Sequence, residues 1–133
     1  SPLRGVWSFS QQVPSTTLLT GNPIPLVAVG TLTMSADNSF TGHGVFNAPV
    51  AGQQAIELDM HGSCGARNGR ASEGFDCVFN FPAFGLSDIH RYCVAMDNAR
   101  GRCFDSMRCV NIDEPGSTVA LVEYRRQNSG TCD

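Results

Sequence analysis

Two four-residue motifs in the chain have the composition of zinc ligands. His61-Gly62-Ser63-Cys64 and His90-Arg91-Tyr92-Cys93 each place a histidine three residues before a cysteine, and zinc accepts a set of two histidines and two cysteines. Both motifs lie in segments that we predict to be strands, where residues three apart point to opposite faces. Each pair would converge only at a bulge or a strand end, so we expect neither a metal nor another cofactor.

Acid–base chemistry has one candidate group in the sequence. Glu57, Asp59 and His61 alternate along a predicted strand and therefore share one face of it. Alternating acidic residues are typical of a solvent-facing side, but on an inner face His61 would be a possible general base. All nine basic residues are arginines, which excludes reactions that need a lysine, such as Schiff-base or pyridoxal phosphate chemistry. The residues therefore favour a protein that is not an enzyme.

A second polar group predicts binding of a small molecule. If Cys93 and Cys103 face outward, then His90 and Tyr92 face inward on one strand, and Phe104 and Arg108 do so on the next. Aromatic side chains with a few convergent polar groups are typical of a ligand site, where Arg108 would hold a carboxylate through two hydrogen bonds. The alternative is that these polar tips lie in water at a rim. The predicted ligand-binding residues are Met60, Phe79, Phe81, His90, Tyr92, Phe104 and Arg108.

Six cysteines form an even set in a small domain rich in strands. Such a set is expected where oxidising conditions allow disulfides to form, which predicts a secreted or periplasmic protein. The cysteines are Cys64, Cys77, Cys93, Cys103, Cys109 and Cys132.

The pairing of these cysteines follows from the predicted hairpins only as a preference, because six cysteines permit 15 connectivities. Cys64 and Cys77 would both face inward across one hairpin. Cys93 and Cys103 stand opposite each other if the turn between them is symmetric. Cys109 would then pair with Cys132 and hold the C-terminal tail.

The elements that must position these residues are strands. Alternation of apolar and polar residues between turn signals predicts eight of them, near residues 5–12, 26–35, 39–47, 54–64, 75–81, 89–96, 101–110 and 118–127. The short connections at 36–38, 66–69 and 97–99 contain Asn, Asp or Gly and predict hairpins. An all-β, eight-stranded antiparallel up-and-down barrel, stapled by disulfides, is the simplest arrangement.

Two segments depart from the strand pattern. Residues 13–25 are rich in Pro, Thr and Gly and predict a long loop, which would either cover one mouth of the barrel or form a solvated connection. Phe84 to Asp88 could form a single helical turn.

Length and charge limit the classes of partner. The chain of 133 residues has no linker-like segment, so residues 1–133 are predicted to form a single domain. A formal net charge of −3 without a basic stripe argues against nucleic acid. No apolar run approaches the roughly 20 residues that a membrane-spanning helix needs.

The two ends of the chain resemble the lipocalin-like barrels. Gly5-Val6-Trp7 is similar to the Gly-x-Trp motif on the first strand of that family, and Arg125 or Arg126 lies where a late arginine packs over the tryptophan. Cation–π packing of this kind requires the first and last strands to be neighbours. The resemblance implies a closed eight-stranded barrel with a ligand site inside it. Small barrels of the allene oxide cyclase or dirigent type fit the same strand pattern.

Three functions follow as hypotheses. The first is a secreted barrel that binds a small, largely apolar or amphipathic molecule without transforming it. The second is a barrel-type cyclase or isomerase, in which His90, Tyr92 or Arg108 would steer protons or charge. The third is a structural or assembly module, because a barrel of eight strands is just wide enough to be filled by its own side chains. Glycines within the strands indicate either barrel bending or room for a ligand.

Overall fold

The computed structural model of the chain describes residues 2–15, 24–46, 56–96, 103–111, 122–128 and 132. Within these residues the fold is all-β, as the alternation predicts. The eight strands are β1 (Gly5–Ser15), β2 (Ile24–Met34), β3 (Ser39–Phe46), β4 (Ile56–Ala66), β5 (Phe75–Phe81), β6 (Leu86–Met96), β7 (Ser106–Asn111) and β8 (Val122–Arg126).

Each strand pairs with the next in antiparallel orientation, and β1 also pairs with β8, so the sheet closes into a barrel. The closing register places Trp7 opposite Arg126 and Gln11 opposite Val122. Closure removes both sheet edges, which would otherwise expose unpaired backbone groups. The predicted eight-stranded meander is therefore confirmed.

The hydrophobic core lies inside the barrel because alternate residues of each strand point there. On β4, Leu58, Met60 and Cys64 are buried, whereas Glu57 and Asp59 on the opposite face are exposed. The same alternation runs along β5, whose phenylalanines and cysteine are buried. The predicted facing of both strands is confirmed.

Residues with positive φ make several of the turns. Asn38 adopts a φ of 65° before β3, and Asn68 adopts 54° between β4 and β5, which are conformations that asparagine tolerates better than most residues. The predicted helical turn at Phe84 to Asp88 is displaced, since a 3₁₀ turn spans Pro82–Phe84 instead. No helix within the described residues is long and apolar enough to cross a membrane.

The predicted loop over residues 13–25 is shorter than expected. β1 continues to Ser15 and β2 begins at Ile24, so Val13 pairs with Leu26 and Pro14 with Pro25. The β1–β2 pairing continues without a break from Gly5 to Ser15, so this hairpin extends into a segment whose composition indicates a loop. The rest of the predicted loop, residues 16–23, lies outside the described residues, as does the predicted turn at 97–99.

All six cysteines form disulfides, as predicted, but two of the three pairings differ. Cys64 pairs with Cys77 as expected. Cys93 pairs with Cys109 rather than Cys103, because β6 and β7 place these two residues directly opposite each other with Cα atoms 4.1 Å apart. Cys103 precedes β7 and pairs with Cys132.

One end of the barrel is closed by a group that we call the clasp, consisting of Leu3, Trp7, Phe104 and Arg126. The Arg126 guanidinium lies 4.5 Å from the centre of the Trp7 ring, and Trp7 Nε1 donates to the carbonyl of Leu3 at 2.8 Å. Arg125 is exposed on the outer face. The predicted contact between the first and last strands is therefore made by Arg126 alone of the two candidate arginines.

Candidate ligand-binding site

The barrel has two distinct ends. The clasp end carries the start of β1 and the end of β8. We call the opposite end the mouth, where β1, β3, β5 and β7 finish. Any molecule that reaches the interior without displacing the clasp must therefore enter from the mouth.

Three of the predicted ligand-binding residues lie outside the barrel. Arg91 and Cys93 are buried on β6, so His90 and Tyr92 point outward. Arg108 on β7 is exposed and forms an ion pair with Glu123 at 3.4 Å. The prediction that these side chains face the interior is wrong, because Cys93 faces inward to meet Cys109. The same placement removes them from any acid–base role inside the barrel.

Phe104 belongs to the clasp rather than to the central interior. Its N–H donates to the carbonyl of Pro2 at 3.1 Å, and its own carbonyl accepts from Arg126 Nε at 2.8 Å. The half-buried ring meets Phe75 edge-on, with centroids 6.2 Å apart. This position separates Phe104 from the other aromatic residues of the predicted site.

The remaining predicted residues, Met60, Phe79 and Phe81, are buried and face the interior. The rings of Phe79 and Phe81 are stacked 6.2 Å apart along β5, and Phe40 packs 4.7 Å from Phe79. An apolar, largely aromatic wall therefore runs towards the mouth, as a small-molecule site requires.

Arg91 introduces a positive charge into this wall. The side chain is only 4% exposed, and its guanidinium lies 4.5 Å from the centre of the Phe79 ring and 5.4 Å from that of Phe81. Stacking on aromatic faces offsets part of the cost of burying the guanidinium. Arg91 was not among the residues predicted from the sequence.

Tyr124 completes the polar part of the interior. It is 1% exposed, and its ring packs 5.9 Å from that of Phe9 and 6.5 Å from that of Phe79. Burial raises the pKa of Tyr124, and the charge of Arg91, together with a contact between its guanidinium and the hydroxyl, opposes that rise. The phenol is therefore neutral near pH 7. Within the described residues, its hydroxyl makes no hydrogen bond of ordinary geometry.

Glycines on β2, β3 and β4 make room for protein side chains. A Cβ atom added to Gly30 or Gly44 would lie 2.8 Å from Phe9 Cζ, and one added to Gly62 would lie 2.6 Å from Phe40 Cζ. The hollows left by these glycines are therefore occupied by rings of the protein itself. Space for a ligand has to be sought beside the opposite wall, which runs from β5 to β8.

Among the described residues, the polar groups that could form an enzyme or zinc site do not come together as such a site. His43 and Asp59 form an ion pair on the exposed outer face, and the hydrogen bond that the His43 ring donates to the Asp59 carboxylate raises the pKa of His43. The zinc motifs require Cys64 and Cys93 as thiolates, but both form disulfides. Among the described residues, no group of three potential ligands could hold a metal ion.

The alternation of inward and outward side chains along β6 and β8 could have identified Arg91 and Tyr124 as interior residues. Placing Arg126 over Trp7 points it inward, and Tyr124, two residues earlier, must then point inward too. Likewise an inward Cys93 places Arg91 inside. The facing of Tyr124 could be predicted from the Trp7 motif and the late arginine. The facing of Arg91 depends on knowing which cysteine pairs with Cys93.

Comparison of the chain with protein families, curated proteins and solved structures gives no match. The closed antiparallel barrel is compatible with a lipocalin-like fold. The interior of this barrel is therefore the part of the molecule that bears on function.

Proposed function

We propose that the protein is a secreted β-barrel, distantly lipocalin-like, that binds a small, largely apolar molecule in its interior without transforming it. The observation that carries this proposal is the buried Tyr124 hydroxyl, which has no hydrogen-bond partner of ordinary geometry among the described residues. Leaving such a group unsatisfied costs about 1–3 kcal/mol. A polar atom of a bound molecule would recover this cost.

The apolar part of the ligand would lie against the mouth-side wall. Met60, Phe79 and Phe81 supply apolar surface there, and aromatic rings give affinity through burial and stacking. Arg91 and Tyr124 take the orienting role that the sequence assigned to His90, Tyr92 and Arg108.

Secretion is supported by the three disulfides. Two of them, Cys64–Cys77 and Cys93–Cys109, join neighbouring strands, and the third holds the C-terminal tail. Disulfides of this kind form and persist in oxidising compartments.

A filled barrel is the second candidate, and the glycine hollows favour it. Phe9 and Phe40 already occupy the space beside Gly30, Gly44 and Gly62. A protein of this kind would act through its outer surface and would contain no ligand.

Tyr124→Phe separates the two candidates, with Tyr92→Phe as the matched control. Native mass spectrometry of protein purified from its source should show a chemically unaltered small molecule bound to the wild type and to Tyr92→Phe, with reduced occupancy in Tyr124→Phe. After ligand removal, Tyr124→Phe should be more stable than the wild type by about 1 kcal/mol, because it lacks the unsatisfied hydroxyl. Urea unfolding measures this difference.

The filled barrel makes the opposite prediction for the bound molecule. All three proteins would then be recovered without a ligand, and Tyr124→Phe would differ from the wild type in stability alone. That result would refute the binding function. A chemically altered product in the wild type would instead indicate an enzyme.

A further inference from the structure

The Tyr124 hydroxyl is a polar group in an otherwise aromatic part of the interior. Tyr124 is 1% exposed, and its ring packs 5.9 Å from that of Phe9 and 6.5 Å from that of Phe79. Because burial raises the pKa of Tyr124, the phenol keeps its proton near pH 7. A neutral phenol can both donate and accept hydrogen bonds. The donating and the accepting side of this hydroxyl therefore have to be considered separately.

The accepting side of the hydroxyl faces Arg91. The Arg91 guanidinium contacts the hydroxyl, and this contact opposes the rise in the Tyr124 pKa that burial causes. A guanidinium carries N–H donors and no acceptor, so the Tyr124 oxygen can only accept from it. The positive charge also favours the orientation in which the O–H bond points away from Arg91. The phenolic proton is therefore directed elsewhere in the interior.

The donating side of the hydroxyl lacks an acceptor among the described residues. The Tyr124 hydroxyl makes no hydrogen bond of ordinary geometry with them, and the rings that pack beside it, Phe9 and Phe79, are hydrocarbons. A buried donor without an acceptor destabilises the protein that contains it. The partner that would satisfy Tyr124 is therefore an acceptor, and a group that can only donate would not serve.

We propose that the polar end of the ligand is a neutral hydrogen-bond acceptor, a carbonyl oxygen in the simplest case, to which the Tyr124 hydroxyl donates. The hydrocarbon body of the ligand lies against the stacked rings of Phe79 and Phe81. A neutral carbonyl suits this wall better than an ionised group, because moving a full charge out of water costs far more. This inference rests on the proposed function, because it names the chemical class that the same interior binds.

Acetophenone and α-methylstyrene test the assignment, because they have nearly the same shape and differ by a carbonyl oxygen in place of a methylene group. NMR titration gives the affinity of both probes for the wild type and for Tyr124→Phe. Tyr124→Phe should bind acetophenone about tenfold more weakly than the wild type does, as the loss of one hydrogen bond predicts. It should change α-methylstyrene affinity less than about twofold, because this probe offers the hydroxyl no acceptor.

Tyr92→Phe is the matched control, because the Tyr92 hydroxyl lies outside the barrel and donates to the carbonyl of Glu73. This variant should keep the wild-type affinity for both probes. A spectroscopic readout uses acetophenone labelled with carbon-13 at the carbonyl, whose NMR signal moves downfield when the oxygen accepts a hydrogen bond. The signal bound to the wild type should lie downfield of the signal in cyclohexane, and Tyr124→Phe should shift it back. The wild-type signal decides the question if Tyr124→Phe does not fold.

Failure of the carbonyl assignment is distinguishable from failure of the binding function. Equal weakening of both probes in Tyr124→Phe overturns the assignment, and so does a wild-type carbonyl signal at its cyclohexane position. Benzoate binding more tightly than acetophenone also overturns it, because the preferred acceptor would then be charged. Each of these results leaves a barrel that binds small molecules. Binding of none of the three probes to the wild type counts against the binding function itself, and the carbonyl assignment fails with it.

Discussion

Arg126 donates from its guanidinium to the carbonyls of Pro2 and Phe104, each at 2.8 Å, and to that of Arg4. Its Nε also lies 3.4 Å from a carboxylate oxygen of Asp105, whose charge opposes the lowering of the Arg126 pKa by burial. One side chain thus joins the N-terminal segment to the approach to β7. Its planar donors therefore fix the clasp end of the barrel.

Replacing Arg126 by Met removes these bonds while keeping an apolar stem over Trp7. Three part-buried backbone carbonyls then lose the Arg126 donor, and Asp105 loses its ion pair with Arg126. We therefore expect the free energy of unfolding to fall by about 3 kcal/mol. Urea denaturation at neutral pH measures the change.

Arg125→Met is the matched control, because Arg125 is the next residue but lies on the exposed outer face. It should change the free energy of unfolding by no more than about 0.5 kcal/mol. Equal losses in the two variants would show that positive charge near the C-terminus, rather than the clasp, stabilises the protein.

At the scale of the strands, alternation predicted β4 and β5 correctly because their inner positions are uniformly apolar. β6 is ambiguous. Its outward row includes Tyr92, Val94 and Met96, which look as apolar as an inner row, whereas its inward row contains Arg91. Facing on β6 depends on the Cys93–Cys109 bridge, and cysteine partners cannot be deduced from the sequence. The predicted facing of His90 and Tyr92 is therefore wrong on this strand.

The extents of β1 and β2 were underestimated for a different reason. Pro14 and Pro25 indicate a loop by composition, yet they face each other in the ladder. Pairing with neighbouring residues outweighs local propensity here, since strand preference depends strongly on context. The contact between Trp7 and a late arginine could be predicted from the Gly5-Val6-Trp7 motif, whereas the place of Phe104 in the clasp could not.

Gly62→Ala tests whether glycine hollows fix the packing of the sheet. The added Cβ would lie 1.9 Å from the Val78 carbonyl oxygen and 2.6 Å from Phe40 Cζ, so backbone and ring must both move. Overpacking of this kind costs about 1–3 kcal/mol. Thermal unfolding followed by circular dichroism should show a lower melting temperature.

Gly65→Ala is the control on the same strand, because nothing lies within 4 Å of its added Cβ. Alanine restricts the unfolded chain more than glycine does, so this variant should gain about 0.5 kcal/mol. If Gly62→Ala were as harmless as Gly65→Ala, the close fit between Gly62 and Phe40 would not determine how β3 and β4 pack.

In the whole molecule, the disulfides and the Arg126 clasp stabilise different parts of the barrel. The three disulfides span residues 64 to 132 and close loops of 13, 16 and 29 residues. None of them crosses the seam between β1 and β8. That seam depends on its backbone ladder from Trp7–Arg126 to Gln11–Val122 and on the Arg126 clasp.

The Cys103–Cys132 disulfide and the Arg126 clasp meet just before β7. Cys103 directly precedes Phe104, whose carbonyl accepts a hydrogen bond from Arg126. Replacing Cys103 and Cys132 by Ala should cost about 3–4 kcal/mol through the 29-residue loop. It should also weaken the clasp, because Phe104 is then held less firmly. Combined with Arg126→Met, the loss should therefore be smaller than the sum of the separate losses, by about 0.5–3 kcal/mol.

The Cys64–Cys77 bridge supplies the comparison for this double-mutant cycle, since β4 and β5 form the wall opposite β8 and β1. Replacing that pair by Ala should cost about 3 kcal/mol and add to Arg126→Met within about 0.5 kcal/mol. Urea unfolding of the single and combined variants gives both coupling energies. Equal coupling for the two bridges would mean that the barrel loses stability as one unit, and that the seam has no local connection with the C-terminal disulfide.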